Sequence, residues 1–260
     1  SGTWKSVGRW AIKRRIVAGG RGGCHGGGVW RPAAGASPWG CDTAFMTQVP
    51  LFDDARGDSG ALNAPAGRQG AWADRVAHAP AWLQTIEADA LQAHLRDEVP
   101  WTVHRIRMFG RWVDSPRLSC WMGDPDVRYR YSGALFEPEP WHPAIRALLP
   151  RLQAACGAPF NSVLINRYRH GGDYMGWHSD DERELGAEPV IASLSLGAAR
   201  RFVMRVKSDH ATKAEWRLAH GDLLVMRGDC QQVAQHALPK MAVVQNERIN
   251  LTFRNVGAAS

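Results

Sequence analysis

From residue 162 onward, apolar and polar positions alternate in short runs. SVLINRY (162–168), VIASLSLG (190–197), RRFVMRV (200–206), GDLLVM (221–226) and RINLTFR (248–254) are rich in β-branched and aliphatic residues. Gly, Asp and Pro separate them, so they predict strands. In the second run Ala192, Leu194 and Leu196 share one face, and Ser193 and Ser195 share the other. In the last, Ile249, Leu251 and Phe253 oppose Arg248, Asn250, Thr252 and Arg254, so that strand is apolar toward one side and cationic toward the other.

Upstream the period lengthens. Leu91, Leu95 and Val99 lie four apart after Asp89 and predict an amphipathic helix that stops before Pro100. Pro143, then Ile145, Leu148, Leu149 and Leu152, closed by Gly157, predict a second helix, with Pro150 expected to kink or split it. Helices followed by several short strands give an α+β fold, helices packed on an antiparallel sandwich or barrel. Residues 1 to about 45 carry neither period and are rich in Gly, Arg, Ala and Trp, which leaves them no means of burying a core. Residues 1–76 are therefore expected to be disordered or a leader, with a native start at Met46, and residues 77–256 to form the globular domain.

Composition narrows the classes. With 260 residues, 45% of them hydrophobic, the chain can bury one full core. Its five cysteines are odd in number and dispersed, which argues against a disulfide scaffold or a four-cysteine zinc site and for a reducing, cytoplasmic compartment. No apolar run is long enough to span a bilayer, so no membrane partner is expected. The formal charge of +7 favours a polyanionic partner, because a basic surface gains affinity by releasing counterions from phosphates.

Candidate chemistry sits in NRYRHGGDYMGWHSDDERE (166–184). His178 and Asp180 are two apart, so on an extended segment both side chains leave on the same side. His236, in CQQVAQHALPK, is the best third ligand, past a strand that can return the chain to the same mouth. Two imidazoles and one carboxylate on one face leave three coordination positions open, the arrangement of a non-haem ferrous oxygenase. If the polar face of RINLTFR lines a barrel interior, its guanidinium groups need an anion, and a dicarboxylate co-substrate supplies one. A zinc hydrolase would use the same ligands but leave that arginine strand unexplained.

The stretches NSVLINRYRHGGDYMGWHSDDERELG, IASLSLGAARRFVMR, HGDLLVM, HALP and RINLTFR, in that order, resemble the AlkB family of Fe(II)- and 2-oxoglutarate-dependent nucleic-acid dealkylases. MFGRWVDSPRLSCWMGD and YRYSGALFEPEPW resemble its duplex-DNA-repair branch, and coverage runs from about residue 77 to 255. The resemblance implies a double-stranded β-helix, a jelly-roll or cupin-like barrel with flanking N-terminal helices. It implies Fe(II) held by His178, Asp180 and His236, 2-oxoglutarate held by Asn166, Tyr168, Arg248, Thr252 and Arg254, and O2 as the oxidant. For the substrate it implies Phe109, Gly110 and Arg111 in a hairpin that enters the base stack, Tyr129 and Tyr131 against the extruded base, and Asp181 and Glu182 near its charge. Arg117 is a further candidate for phosphate. The expected partner is alkylated DNA, duplex or single-stranded, or alkylated RNA, acted on by a monomer in the cytoplasm, beside the nucleoid, or in a nucleus. A metal-free nucleic-acid-binding barrel is the alternative from another class, and it would call for a broken ligand set.

Overall fold

The structure is a computed structural model that describes residues 10–11, 72–108, 111–131 and 134–257, with side chains described except at 10–11, 104–112 and 129–136. Most of the expected leader falls outside the described residues. In chain order the elements begin with β1 (Trp10–Ala11), β2 (Val76–Ala79), α1 (Thr85–Glu98), β3 (Thr102–Met108), β4 (Arg111–Gly123), β5 (Tyr129–Tyr131), β6 (Ala134–Phe136) and α2 (Pro143–Cys156). They continue with β7 (Ser162–Tyr168), β8 (Met175–His178), β9 (Ile191–Gly197), β10 (Arg200–Val206), β11 (Lys213–Leu218), β12 (Leu223–Met226), α3 (Cys230–Val233), β13 (Ala234–Leu238) and β14 (Arg248–Arg254).

The strands form an eight-stranded sheet in the order β1-β3-β4-β7-β14-β9-β12-β2, a four-stranded sheet β11-β10-β13-β8 and a hairpin β5-β6. Their ladders are antiparallel, and the architecture is the expected double-stranded β-helix with helices on one side. All five strands read from the sequence are present, within two residues of their expected starts.

Two apolar layers hold it together. In the first, Leu91 and Leu95 of α1 and Ile145, Leu148 and Leu152 of α2 pack on Val163, Ile165, Leu194, Leu196, Ile249, Leu251 and Phe253, the outer face of the large sheet. Each such side chain contributes roughly 1.5–3 kcal/mol on burial. The second layer lies between the sheets, where Ile191, Leu224 and Met226 meet Phe202, Met204, Trp216 and Leu218, with Trp72 and Val76 closing it. Because alternate residues of β7, β9 and β14 serve the helix layer, the remaining ones must face the barrel interior. That second set includes Asn166, Ser193, Ser195 and Arg248.

The helices start and stop for local reasons. Glu87 accepts from the Gln84 backbone N–H at 3.4 Å in the first turn of α1, and Pro100 bars continuation past Val99. His142 caps α2 by accepting from the Ala144 N–H, and Gly157 at φ 63° ends it. Pro150 does not split α2, one of the two expected outcomes: the helix runs unbroken from Pro143 to Cys156. Pro150 and Arg146, whose carbonyl it leaves without a helical donor, both sit on the exposed face, so water can take that carbonyl while the buried face stays packed.

Candidate functional site

His178 ends β8 and His236 lies in β13, and the two are directly opposite in the ladder. Both imidazoles therefore leave the small sheet toward the interior, with ring centroids 4.1 Å apart. Asp180 follows two residues beyond, its Oδ1 3.8 Å from His178 Nε2, and ligand atoms of all three residues lie within 4.8 Å of one another. Among the described residues no other His, Cys, Asp or Glu cluster has this geometry.

Neighbours orient each member. His178 Nδ1 donates to the Gly176 carbonyl at 2.8 Å, which leaves Nε2 free to ligate. The Asp180 N–H donates to Gln231 Oε1 at 2.9 Å, and Arg254 Nη2 contacts Asp180 Oδ2 at 2.9 Å. Burial opposes the Asp180 charge, but the Arg254 guanidinium and the adjacent imidazoles outweigh it and hold the carboxyl below the usual range. Burial pulls His178 down, and burial with the neighbouring His178 pulls His236 down to about 3, so both rings are neutral near pH 7. Two neutral imidazoles beside an ionised carboxylate form the donor set of a divalent transition metal, and these residues fit Fe(II).

The cluster opens onto a cavity of about 150 Å³ between the sheets. Its far wall is the polar face of β14 with β7 and β9. Arg248 is 2% exposed; its Nη2 donates to Ser195 Oγ at 2.9 Å and Asn250 Oδ1 at 2.6 Å, and its guanidinium lies 5.6 Å from the Tyr168 ring. Burial draws its pKa down to about 10. No carboxylate pairs with Arg248 among the described residues, so the wall presents a desolvated cation to whatever fills the cavity. Asn250 ties the wall together, accepting from Ser193 Oγ at 3.0 Å and donating through Nδ2 to Thr252 Oγ1 at 2.9 Å.

Each of the five residues expected at the co-substrate, Asn166, Tyr168, Arg248, Thr252 and Arg254, lines this cavity. The two acids after Asp180 part company. Glu182 lines the cavity, where burial, with the Asp180 charge beside it, pushes its pKa up to about 7. Asp181 is exposed and accepts from Lys207 Nζ at 3.2 Å, because successive residues of an extended segment point to opposite sides. Phe109 and Gly110 lie outside the described residues; Arg111 opens β4 and Tyr129 and Tyr131 form β5, but their side chains lie outside the description. Arg117 is not a phosphate contact. It is 3% exposed, and its Nε donates to Asn166 Oδ1 at 2.8 Å, bracing a wall residue from behind.

Sequence reasoning missed several supports. Ser193, Ser195 and Asn250 sat on the polar faces already identified, so alternation was the available signal. Arg117, Gln231 and Arg200 carried none. Arg200, 1% exposed, donates through Nη2 to the carbonyls of Asp173 and Pro239, both at 2.8 Å, and joins the loops beside β8 and β13.

Residues 75–254 match the 2OG-Fe(II) oxygenase superfamily. Human alpha-ketoglutarate-dependent dioxygenase alkB homolog 3 is 40% identical over 191 residues, covering 70% of this chain and 66% of that protein. Human DNA oxidative demethylase ALKBH2 is 38% identical over 180 residues, 65% of this chain and 69% of that one. The chain thus spans about two thirds of the length of these curated relatives. The solved structure of OsALKBH1 superposes with a TM-score of 0.50 at 17% identity, covering 69% of this chain and 97% of that one, which bears on fold alone. With the cluster, the cationic wall and a match over most of its length, the chain belongs to the AlkB family of 2OG-Fe(II) oxygenases.

Proposed function

We propose that residues 75–254 form an Fe(II)- and 2-oxoglutarate-dependent dioxygenase domain that oxidatively demethylates N-alkylated bases, of the 1-methyladenine and 3-methylcytosine type, in DNA. The observation that carries this reading is the His178, Asp180 and His236 cluster opening onto a cavity whose far wall holds the buried Arg248. Bound iron supplies the activation of O2, coupled to conversion of 2-oxoglutarate to succinate and carbon dioxide, and the oxidised N-methyl carbon leaves as formaldehyde.

The chain's own residues prepare that chemistry. Neutral His178 and His236 offer lone pairs without first losing a proton, and Arg254 keeps Asp180 ionised and fixed in direction. Arg248 receives the far carboxylate of 2-oxoglutarate, its cost of burial offset by an ion pair it otherwise lacks. Asn166, braced by Arg117, and Tyr168 close the wall beside it. Glu182 faces the cavity and accepts from the exocyclic amine of a bound base; its ionised form also favours the positive charge that N-alkylation leaves on adenine or cytosine.

A base reaches the cavity only by leaving its stack, at a few kcal/mol, less for a lesion that cannot pair. Phe109 is assigned to fill the gap, with Tyr129 and Tyr131 stacking on the extruded base. No helix among the described residues is long and apolar enough to cross a membrane.

The test is formaldehyde release from three methylated substrates of one sequence, duplex DNA, single-stranded DNA and RNA, by iron-loaded protein with 2-oxoglutarate. Release from DNA, abolished by His178→Ala, is expected. Release from RNA alone would move the substrate to RNA. No release from any of the three, with 2-oxoglutarate and iron bound, would remove the reading.

A further inference from the structure

The outer face of the four-stranded sheet holds cations in register. Across β10 and β11, Arg201 lies directly opposite Arg217, and Arg205 directly opposite Lys213. Like charges in opposed cross-strand positions cost stability, so their presence calls for a compensating partner. One carboxylate on this face answers them: Glu215 accepts from Nε and Nη2 of Arg201 at 2.8 and 2.7 Å. Among the described residues no carboxylate pairs with Arg205, Arg217 or Lys213. Arg205 instead donates through Nε and Nη2 to Gln235 Oε1 at 3.1 and 2.8 Å, and its guanidinium lies 4.3 Å from the ring centroid of Trp177.

Register turns these residues into a line. Lys213 on β11, Arg205 on β10 and Gln235 on β13 are successive cross-strand partners, spanning roughly 10 Å at the spacing of paired strands. Trp177 continues the line diagonally on β8 and is only half-buried. The next residue is His178, whose ring faces the cavity on the other side of the same strand. The line therefore runs from the open edge of the sheet to the strand that carries the metal cluster.

We infer that this line, Trp177, Gln235, Arg205 and Lys213, is a docking track for a single nucleic-acid strand next to the base that enters the cavity. The inference rests on the nucleic-acid reading proposed above and names where that substrate lies. Arg205 and Lys213 meet consecutive phosphates, which removes the repulsion between them. Trp177, polarised by the guanidinium over it, offers a stacking face to a neighbouring base. Apart from Val203, Ala237 and the Trp177 ring, the residues placed on this face are cationic or polar, so a strand with phosphates and exposed bases suits it better than an apolar partner.

The probe is an unmodified fluorescent 15-nucleotide single strand, titrated with the full chain at several salt concentrations. Arg205→Gln/Lys213→Gln is expected to bind about tenfold more weakly, with the salt slope shallower by about 1.4, at about 0.7 per lost phosphate contact. The thermal midpoint of that variant should hold or rise, because a like-charge pair is gone. Trp177→Leu is expected to bind about tenfold more weakly with an unchanged slope, since stacking is insensitive to salt. Lys213→Glu, at an exposed position on an edge strand, repeats the charge arm should the double variant unfold, and a larger loss is expected.

Parent-like affinity and slope in the charge variants would overturn the track. So would an equal loss against poly-glutamate of matched charge, or a loss confined to duplex. Because the probe carries no methylated base, the two readings fail separately. Formaldehyde release with unaltered strand binding in the variants removes the track alone, and weakened binding without release from any methylated strand removes the demethylase alone.

Discussion

At the scale of single residues, the site depends on charges placed where water cannot reach them. Arg248 is the clearest case, a buried guanidinium answered only by hydroxyl and amide oxygens. Replacing it by an apolar side chain of similar length removes a desolvation cost as well as a ligand contact. Arg248→Met should therefore weaken 2-oxoglutarate binding by about 10- to 100-fold, the worth of one charge-assisted hydrogen bond or more. The thermal midpoint of the ligand-free protein should stay level or rise. Calorimetric titration and thermal melts separate the two, and a parent-like affinity would remove Arg248 from the co-substrate site. Gln231 makes the complementary case. Asp180 lies past the end of β8 with no ladder to hold it, and the Gln231 side chain, 1% exposed, takes its backbone N–H. Gln231→Leu should lower Co(II) affinity by about 10- to 100-fold, the usual effect of losing a support behind a metal ligand, and Gln231→Glu, which keeps an acceptor there, should recover most of it. The triad was legible because His178 and Asp180 are neighbours in sequence. Gln231 was not, since a contact 51 residues away leaves no local pattern.

At the scale of elements, legibility followed burial. RINLTFR and IASLSLG could be read because each is buried on both faces with unlike chemistry, apolar under the helices and polar at the cavity. MGWH and AQHAL are shorter, and their outer faces are half open, so β8 and β13 gave no alternation although they carry both imidazoles. In β4, Pro116 is a residue that a strand ladder accommodates only at an edge or a bulge. The ladder to β3 shifts register between Val103 and Arg105, opposite that proline, and pairing with β7 begins only at Leu118. The bulge removes the demand for the N–H that proline lacks. Pro150 shows the same logic in α2, tolerated on the exposed face but still without its hydrogen bond. Pro150→Ala should stabilise the protein by about 1–3 kcal/mol, the helix-interior difference less the unfolded-state entropy that proline suppresses. Urea unfolding with an unchanged m-value would read this, and a lower midpoint would mean that α2 needs its proline.

At the scale of the whole molecule, the site is built from two sheets that contribute different parts. The four-stranded sheet brings His178 and His236, and the eight-stranded sheet brings Asn166, Arg248 and Arg254. One ion pair, Arg254 to Asp180, joins the wall to the metal cluster directly. A metal ion alone would therefore engage one sheet and, among the described residues, reach the other through Arg254. On the reading proposed above, the co-substrate alone would meet the large sheet and lack the group that draws its keto acid end to the small one. Together they would bridge the two sheets across the cavity. Stabilisation by the pair should then exceed the sum of the separate effects, because each presents the other with a preformed half-site. A ligand at 100 times its Kd adds about 2.7 kcal/mol to the folded state, which for a domain of this size raises the thermal midpoint by roughly 5–10 °C. Melts with Mn(II) alone, 2-oxoglutarate alone and both together measure that excess without any turnover. His236→Ala should abolish it while leaving a residual shift from 2-oxoglutarate on Arg248. Purely additive shifts in the parent protein would mean that the sheets hold their ligands independently, and the cavity would then be two sites rather than one.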